Sequence, residues 1–352
     1  RLRAADRDRR PRKTIRDIAE LAGVSIATVS RAVNGRGDVS EETRGLVRRI
    51  AREHGYTANR NARGLSAGRT GLIGVTLPVI HPIYFSSILA SVADTLDEHD
   101  MRIVLCPTRH QHDREITLIE RLMHGTTDGA ILVLPEESGS ELRALAQQGY
   151  RYVVVDPSER LDEDIPVVSA AHSAGADLAV RHLLSLGHRR IGAITGPRGR
   201  LATGERLRGY HAAVAAAGAP ADPHLVAESN FQVEGGFDAA SRLLELPARP
   251  TAIFAFNDPL AIGAVQAARS HGLRIPEDLS VVGFDDTTEA RFVTPALTTV
   301  RQPLADMGRM AVQLLVRLLE NQAGDGVQLE LPTRLVVRGS TTRPAPAQAP
   351  VA

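Results

Sequence analysis

The sequence predicts two unlike parts: a small all-α helix-turn-helix headpiece, and an α/β body of two doubly wound parallel-sheet subdomains. Three observations carry this. The stretch Thr14 to Asn34, TIRDIAELAGVSIATVSRAVN, reads as two short helices around a tight corner. From Leu72 onward, short apolar runs alternate with helical stretches, the pattern of buried parallel strands under covering helices. Charge is also split along the chain. Residues 1–69 hold 17 Lys+Arg and 8 Asp+Glu, leaving 25 basic and 33 acidic residues for the rest, so the net of +1 conceals a basic head on an acidic body. Such a split makes the head alone the part that meets a polyanion.

At 352 residues the chain exceeds one ordinary core, so a small domain beside a larger one is expected. A 43% hydrophobic, 24% charged composition is that of a globular protein. There is no run of about 18 apolar residues, so no membrane-spanning helix is expected. The opening RLRAADRDRRPRK is basic, but no apolar segment follows it, so it does not read as a secretory signal. Residues 1–13 read instead as a disordered basic arm. Cys106, the single cysteine, excludes an internal disulfide framework and suits a cytoplasmic location; it reads as a small apolar residue in a buried strand.

The headpiece spans residues 14–58. Thr14 with Asp17 forms a capping-box pattern, opening a helix with Ile15, Ile18, Ala19 and Ala22 on one face. Gly23 lets the backbone turn at low steric cost. Ser25 suits the N-cap of a second helix that turns Val29, Ala32 and Val33 inward and leaves Ile26, Ala27, Ser30 and Arg31 outside. Ser40, followed by Glu41 and Glu42, caps a third helix with Leu46, Val47, Ile50 and Ala51 buried, and Gly55 ends it. With Arg31, Arg44, Arg48 and Arg49 available, three helices on a tiny core fit a helix-turn-helix unit. A generic three-helix bundle is the competing reading.

The run AGVSIATVSRAVNGRGDVSEETRGLVRRIAREHGYTANRNARGL resembles the headpiece and hinge of the lactose-repressor (LacI/GalR) family of transcriptional regulators. The resemblance implies that Ile26, Ala27 and Arg31 face base edges in the major groove. It implies that Thr28, Ser30, Asn34, Ser40 and Arg44 hold phosphates, with Thr14 and Ser25 among the DNA-facing residues. The chemistry agrees: Arg31 can donate a bidentate pair to guanine, Ile26 and Ala27 offer apolar contact, and rim hydroxyls and amides position without reading sequence. Residues 59–70 would be a hinge helix or linker. In the family this segment folds on operator DNA, with Asn59, Ala62 and Leu65 among its contacts and Leu65 in the place of the leucine wedged into the central base step. Ala58 stands where the family usually has proline, and Gly64 weakens the helix by about 1 kcal/mol relative to alanine. A plain interdomain linker is the competing reading.

In the body, residues 71–343, the runs LIGVTLP, RIVLCP, DGAILVLP and YRYVVVDP are followed by RRIGAITGP, TAIFAFND and LSVVGFDD. They divide near Val167 and near Leu297 into two subdomains. The family's body resembles a periplasmic sugar-binding protein, and on that likeness the N-subdomain takes about 71–166 and 299–327 and the C-subdomain about 167–298 and 328–343. Residues 344–352, rich in Pro and Ala, read as a disordered tail.

Ligands of such sheets sit beyond the carboxyl ends of the strands. There the sequence places Asp156, Asn257 with Asp258, and Asp285 with Asp286. Arg206 matches the family's effector-binding arginine, and Phe231 stands where the family often carries an aromatic that stacks on the ligand. Tyr84 and Phe85, in HPIYF, fall at the family's cleft mouth. Carboxylate, amide and guanidinium groups around an aromatic face suit a sugar, whose hydroxyls take paired hydrogen bonds while the ring covers its C–H face. Asp258 and Asp286 also read as simple helix caps. Ala170 and Ala171 lie where many relatives carry a polar residue.

His110, His112 and Asp113 lack a third nitrogen or sulfur ligand and read as a solvated loop, so no metal is expected. GPRGRLATG lacks P-loop and dinucleotide spacing and reads as a loop; no cofactor and no catalytic motif is expected. The expected partners are double-stranded, near-palindromic operator DNA, a small effector of sugar type, and a second copy of the chain. Without a heptad run after Val336, no coiled-coil tetramerisation tail is expected. A transport-type sugar receptor on the same body is the alternative from another class, disfavoured by the reader helix. An enzyme on doubly wound domains is the third.

Overall fold

The computed structural model describes residues 13–34, 39–56, 69–80, 83–219, 222–322 and 326–345. The arm (residues 1–12), the hinge positions Asn59, Ala62 and Leu65, His81, Pro82 and the end of the tail lie outside them, as does the Asn34 side chain. The chain divides into two compact units, residues 1–70 and 71–352.

The first unit holds α1 (Ile15–Ala22), α2 (Ile26–Asn34) and α3 (Glu41–Glu53). Each start has the local chemistry that its sequence predicts. The Thr14 N–H donates to Asp17 Oδ2 at 2.6 Å, and the Asp17 N–H returns to Thr14 Oγ1 at 3.4 Å. Gly23 closes α1 in the left-handed region at φ 64°, which a side chain would strain. The Ser25 hydroxyl accepts the Thr28 N–H at 3.1 Å, and the Ser40 hydroxyl accepts the Thr43 N–H at 3.2 Å. Ile18, Ala19, Val29, Ala32 and Val47 form the core. Leu46 and Ile50 are half-buried rather than buried, because so short a bundle cannot cover the outer edge of α3.

The second unit carries two six-stranded sheets of one design. The first contains β1 (Leu72–Leu77), β2 (Arg102–Pro107), β3 (Gly129–Val133), β4 (Tyr152–Val155), β5 (Val167–Ala170) and, far along the chain, β11 (Gln328–Leu331). Their order is 11-5-4-3-1-2, parallel throughout. The second contains β6 (Ile191–Thr195), β7 (Val226–Glu228), β8 (Ala252–Ala255), β9 (Ser280–Asp285), β10 (Thr298–Arg301) and β12 (Arg334–Val336). Their order is 12-10-9-8-6-7, with β12 antiparallel to β10. Helices α4 (Ile83–Glu98), α5 (His112–Met123), α6 (Gly139–Gln147) and α12 (Leu304–Leu319) belong to the first half. The second has α7 (His172–Ser185), α8 (Leu201–Ala216), α9 (Val233–Leu244), α10 (Asp258–Ser270) and the short α11 (Glu289–Phe292). β1, β3 and β8 are buried almost along their whole length, as strands covered on both faces must be.

Backbone pairing corrects the subdomain limits expected from sequence. Val167 pairs with Val154 and with Gln328, so residues 167–170 and 328–331 belong to the first sheet, not the second. Thr298 to Arg301 pair with Val282 to Asp285, so β10 stays in the second sheet. The chain therefore crosses just after Ala170, Arg301 and Leu331. Cys106 lies half-buried on β2, and burial pushes its thiol up, away from reactivity. Among the described residues no helix is long and apolar enough to cross a membrane.

Candidate functional site

A cavity of about 340 Å³ opens between the two subdomains at the carboxyl ends of their strands. Tyr84, Phe85, Asp156, Arg206, Phe231, Asn257 and Asp285 all line it. Val79, Leu134, Pro157 and Pro259 add apolar wall, and His110 and Arg200 reach its mouth. Asp156 directly follows β4 and Asp285 ends β9, the same place in the two sheet orders, so the repeated design supplies one carboxylate from each side. The backbone turns sharply where it leaves these strands: φ is 54° at Asp156, 113° at Asp285, 65° at Phe231 and 47° at Leu134. Non-glycine residues in this region are strained, and strain of this kind collects at functional sites.

A chain of hydrogen bonds runs across the cavity floor. The Tyr84 hydroxyl donates to Asp156 Oδ2 at 2.5 Å. Asp156 Oδ1 lies 2.7 Å from His172 Nε2, and His172 Nδ1 lies 3.2 Å from Arg206 Nη2. Arg206 also donates to the Phe256 carbonyl, stands 3.8 Å from Asp285 Oδ1 and stacks 3.9 Å above the Phe284 ring. Gln302 Nε2 donates to Asp285 Oδ1 at 2.6 Å. Two atoms of this chain, Arg206 Nε and Gln302 Oε1, are buried without a protein partner, one donor and one acceptor.

The two carboxyls differ in proton affinity. Burial alone would raise Asp156, but the His172 and Tyr84 bonds and the Arg206 charge hold it below the usual carboxylate range. Burial raises Asp285 to about 6 in spite of Arg206 and Gln302. Burial and the neighbouring Asp156 push the Tyr84 hydroxyl well up, so it stays a donor.

Phe231 lies on the end of β6: a Cβ at Gly196 would come 1.9 Å from its ring, so the glycine makes the space. Asn257 uses both ends of its amide on the protein, accepting the Leu260 N–H at 2.9 Å and donating to the Phe231 carbonyl at 3.0 Å. It thus fixes the aromatic wall and caps α10. Asp258 and Asp286 stand away from the cavity and, against the helix-cap reading, cap neither helix: Asn257 caps α10 and Thr288 precedes α11. Asp258 accepts from Thr299 Oγ1 at 2.6 Å and the Thr287 N–H at 2.7 Å. The Asp286 side chain is fully buried among Arg301, Arg338 and Arg291.

His110 lies in an exposed turn, as the solvated-loop reading expects, and meets Glu136 at 3.3 Å; His112 and Asp113 instead begin α5, with His112 3.0 Å from Glu141. Among the described residues no group of three or more His, Cys, Asp or Glu could hold a metal. The stretch GPRGRLATG is loop only to Arg200; Leu201 starts α8. The sequence reading missed His172 and Gln302. Both sit just past a crossover, and position there was the available signal.

In the headpiece, Ile26 is 44% exposed, Ala27 and Arg31 are exposed, and Ser30 and Thr28 are partly so. These residues share the outer face of α2. Arg44 is more confined: its side chain is 17% exposed, lies 3.5 Å from Glu41 and donates to the Val39 carbonyl at 3.4 Å.

Residues 14–59 match the family described as bacterial regulatory proteins, lacI family, and residues 180–341 match a periplasmic binding protein-like domain. The HTH-type transcriptional regulator DegA of Bacillus subtilis (strain 168) is 36% identical over 334 residues, 94% of this chain and 98% of that one. The lac repressor dimer bound to operator and the anti-inducer ONPF superposes with a TM-score of 0.85 at 31% identity, covering 94% and 99% of the two chains. The complex of the transcriptional regulator CelR with cellobiose gives a TM-score of 0.73 at 33% identity, covering 94% and 100%. With its three-helix headpiece and paired α/β subdomains, the chain belongs to the lacI family of DNA-binding transcriptional regulators.

Proposed function

We propose that this regulator is a homodimeric repressor whose hold on a near-palindromic operator is controlled by a neutral sugar in the cavity. The observation that carries the reading is the convergence of Asp156, Arg206 and Asp285 with Tyr84, Phe85 and Phe231 around one 340 Å³ space. Carboxylates and a guanidinium hold vicinal hydroxyls, and the aromatic and apolar walls take the C–H faces. Two carboxylates against one deep arginine disfavour a phosphorylated ligand, which would bring further negative charge into a poorly solvated site. The likeness to a regulator bound to cellobiose supports the same class.

On the DNA side, Arg31 reads guanine, Ile26 and Ala27 make apolar base contact, and Thr14, Ser25, Thr28, Ser30, Asn34, Ser40 and Arg44 hold the backbone. Asn59, Ala62 and Leu65 act in the hinge. Two headpieces read two half-sites, which a dimer supplies. Ligand binding alters the angle between the subdomains and shifts the two Leu72 ends of the dimer, so the hinges no longer pair. Coupling of this kind is about 1–3 kcal/mol, roughly 5- to 150-fold in affinity.

The test is operator binding with and without cellobiose, D-ribose and their phosphorylated counterparts, for wild type and Arg206→Ala. A neutral sugar should change wild-type affinity, and the variant should lose the response while keeping ligand-free DNA binding. A response to phosphorylated sugars alone would overturn the neutral-ligand reading.

A further inference from the structure

We infer that His172 is the positioning residue that joins the two walls of the cavity and holds the cleft closed. The inference rests on reading that cavity as the effector site. His172 is the first residue of α7, immediately past the first crossover, and is 6% exposed. Its Nε2 faces Asp156 of the first subdomain at 2.7 Å, and its Nδ1 faces Arg206 of the second at 3.2 Å.

The partners dictate the tautomer. A guanidinium can only donate, so Nδ1 accepts from Arg206, and the ring proton sits on Nε2 and is donated to Asp156. A second proton on Nδ1 would point at the Arg206 Nη2–H groups. The neutral Nε2–H ring is therefore the form that links a carboxylate on one side to a cation on the other.

Packing makes the link possible. A Cβ at Gly209 would come 2.2 Å from the Ser173 carbonyl, so this glycine lets α8 press against the first turn of α7. Arg206, one turn before Gly209, is thereby brought to His172. At Gly175 a Cβ would come 2.9 Å from the Phe284 ring, the same ring on which Arg206 stacks. Rotation of one subdomain against the other must stretch the His172–Asp156 bond, because Asp156 belongs to the first subdomain while His172 and Arg206 both belong to the second.

A second contact reports the closed state from a distance. The Leu201 N–H, on α8, donates to the Ser158 carbonyl of the first subdomain at 2.8 Å. Beside it, Arg200 donates to Ser158 Oγ at 2.9 Å and to Glu136 at 2.8 Å.

The experiment uses the full-length protein in three forms: wild type, His172→Phe and His172→Gln, the last keeping an amide that can both donate and accept. In wild type labelled with ¹⁵N-histidine, the His172 signals, identified by their loss in the variants, should show a protonated Nε2 and an unprotonated Nδ1. Without ligand, amide exchange at Leu201 should quicken about tenfold in His172→Phe and return toward wild type in His172→Gln. Affinity for cellobiose or D-ribose should fall about tenfold in the Phe variant and recover in part in the Gln variant. A protonated Nδ1, or wild-type exchange at Leu201 in the Phe variant, overturns the inference. If wild type binds neither sugar, the sugar reading falls, and tautomer and exchange still decide the role of His172.

Discussion

Glu137 follows β3 in the first subdomain as Asp258 follows β8 in the second, since these strands hold the same place in the two sheet orders. Both side chains are buried, at 3% and 0% exposure, and burial beside other acids pushes both carboxyls up, Asp258 with Asp285 and Asp286 nearby; what differs is their hydrogen bonding. Asp258 has a hydrogen-bond donor on each oxygen, Thr299 Oγ1 and the Thr287 N–H. Beyond its own backbone N–H, neither oxygen of Glu137 has a partner, and its close neighbours are other acids: Glu115, Glu141 and Glu136. The contrast extends further. The second subdomain surrounds buried Asp286 with three arginines, whereas the first buries Glu115 with one N–H bond, from Glu136 at 3.1 Å. One topology thus carries Asp258 and Asp286 tied into the frame in one half, and the pair Glu115 and Glu137 held by little beyond burial in the other. Removing the Glu137 carboxylate should therefore have the opposite sign to removing that of Asp258 or Asp286.

The largest effect is expected at Asp286. Asp286→Asn leaves Arg301 and Arg338, partly buried, without their counter-charge, and should cost about 3 kcal/mol in urea unfolding at neutral pH. Asp258→Ala comes next. It leaves the buried Thr287 N–H and the Thr299 hydroxyl without their acceptor, for a loss of about 2 kcal/mol. If either variant unfolds at the wild-type midpoint, the saturated half is not what holds these groups.

How much of this could be read from the chain depends on where each partner lies. Asp156, Asn257 and Asp285 were legible because they end apolar runs, and strand ends are where doubly wound sheets take ligands. Arg206 and Phe231 came from family resemblance, since nothing local marks them. The caps at Thr14, Ser25 and Ser40 are contacts three residues apart, and their spacing states them outright. His172 was invisible by the same measure. It sits between Ala171 and Ser173, and its partners are 16 and 34 residues away. The crossovers were misplaced by a few residues because β5, β10 and β11 are four residues each, and only pairing assigns them to a sheet. Glu115 looks like a solvated residue of a charged helix; its burial is set by the 134–138 loop folding over it.

The third expectation reverses sign. Burial raises Glu137 to about 8 and Glu115 to about 7, in both cases above the ordinary glutamate value of 4.5. An acid whose folded-state affinity for its proton is raised stabilises the fold least when ionised. Below about pH 4.5 both states are protonated and nothing is lost; as pH rises through 7 and 8 the unfolded chain is favoured. Glu137→Gln should therefore be more stable than wild type by about 1 to 2 kcal/mol near pH 8.5 and nearly equal to it near pH 5. Asp285, raised to about 6, tilts the wild-type curve the same way. The difference between variant and wild type, followed by urea midpoint against pH, isolates Glu137. A variant less stable than wild type at high pH would mean that Glu137 has a cationic partner in solution.

The smallest effect is the coupling between the two acids, and it tests whether they act as a pair. Glu115→Gln alone should stabilise by less than Glu137→Gln, roughly 1 kcal/mol near pH 8.5, because the Glu136 N–H already stabilises the Glu115 anion and the amide oxygen can take over that bond. Each single change also relieves the repulsion that the other acid feels, and the double variant can relieve it only once. The gain of the double variant should therefore fall short of the sum of the singles by about 0.5 to 1 kcal/mol near pH 8.5, and the shortfall should vanish near pH 5, where both groups carry protons. Urea unfolding of the four proteins at the two pH values measures it. Strict additivity at high pH would show that each acid is raised by its own burial, without the other.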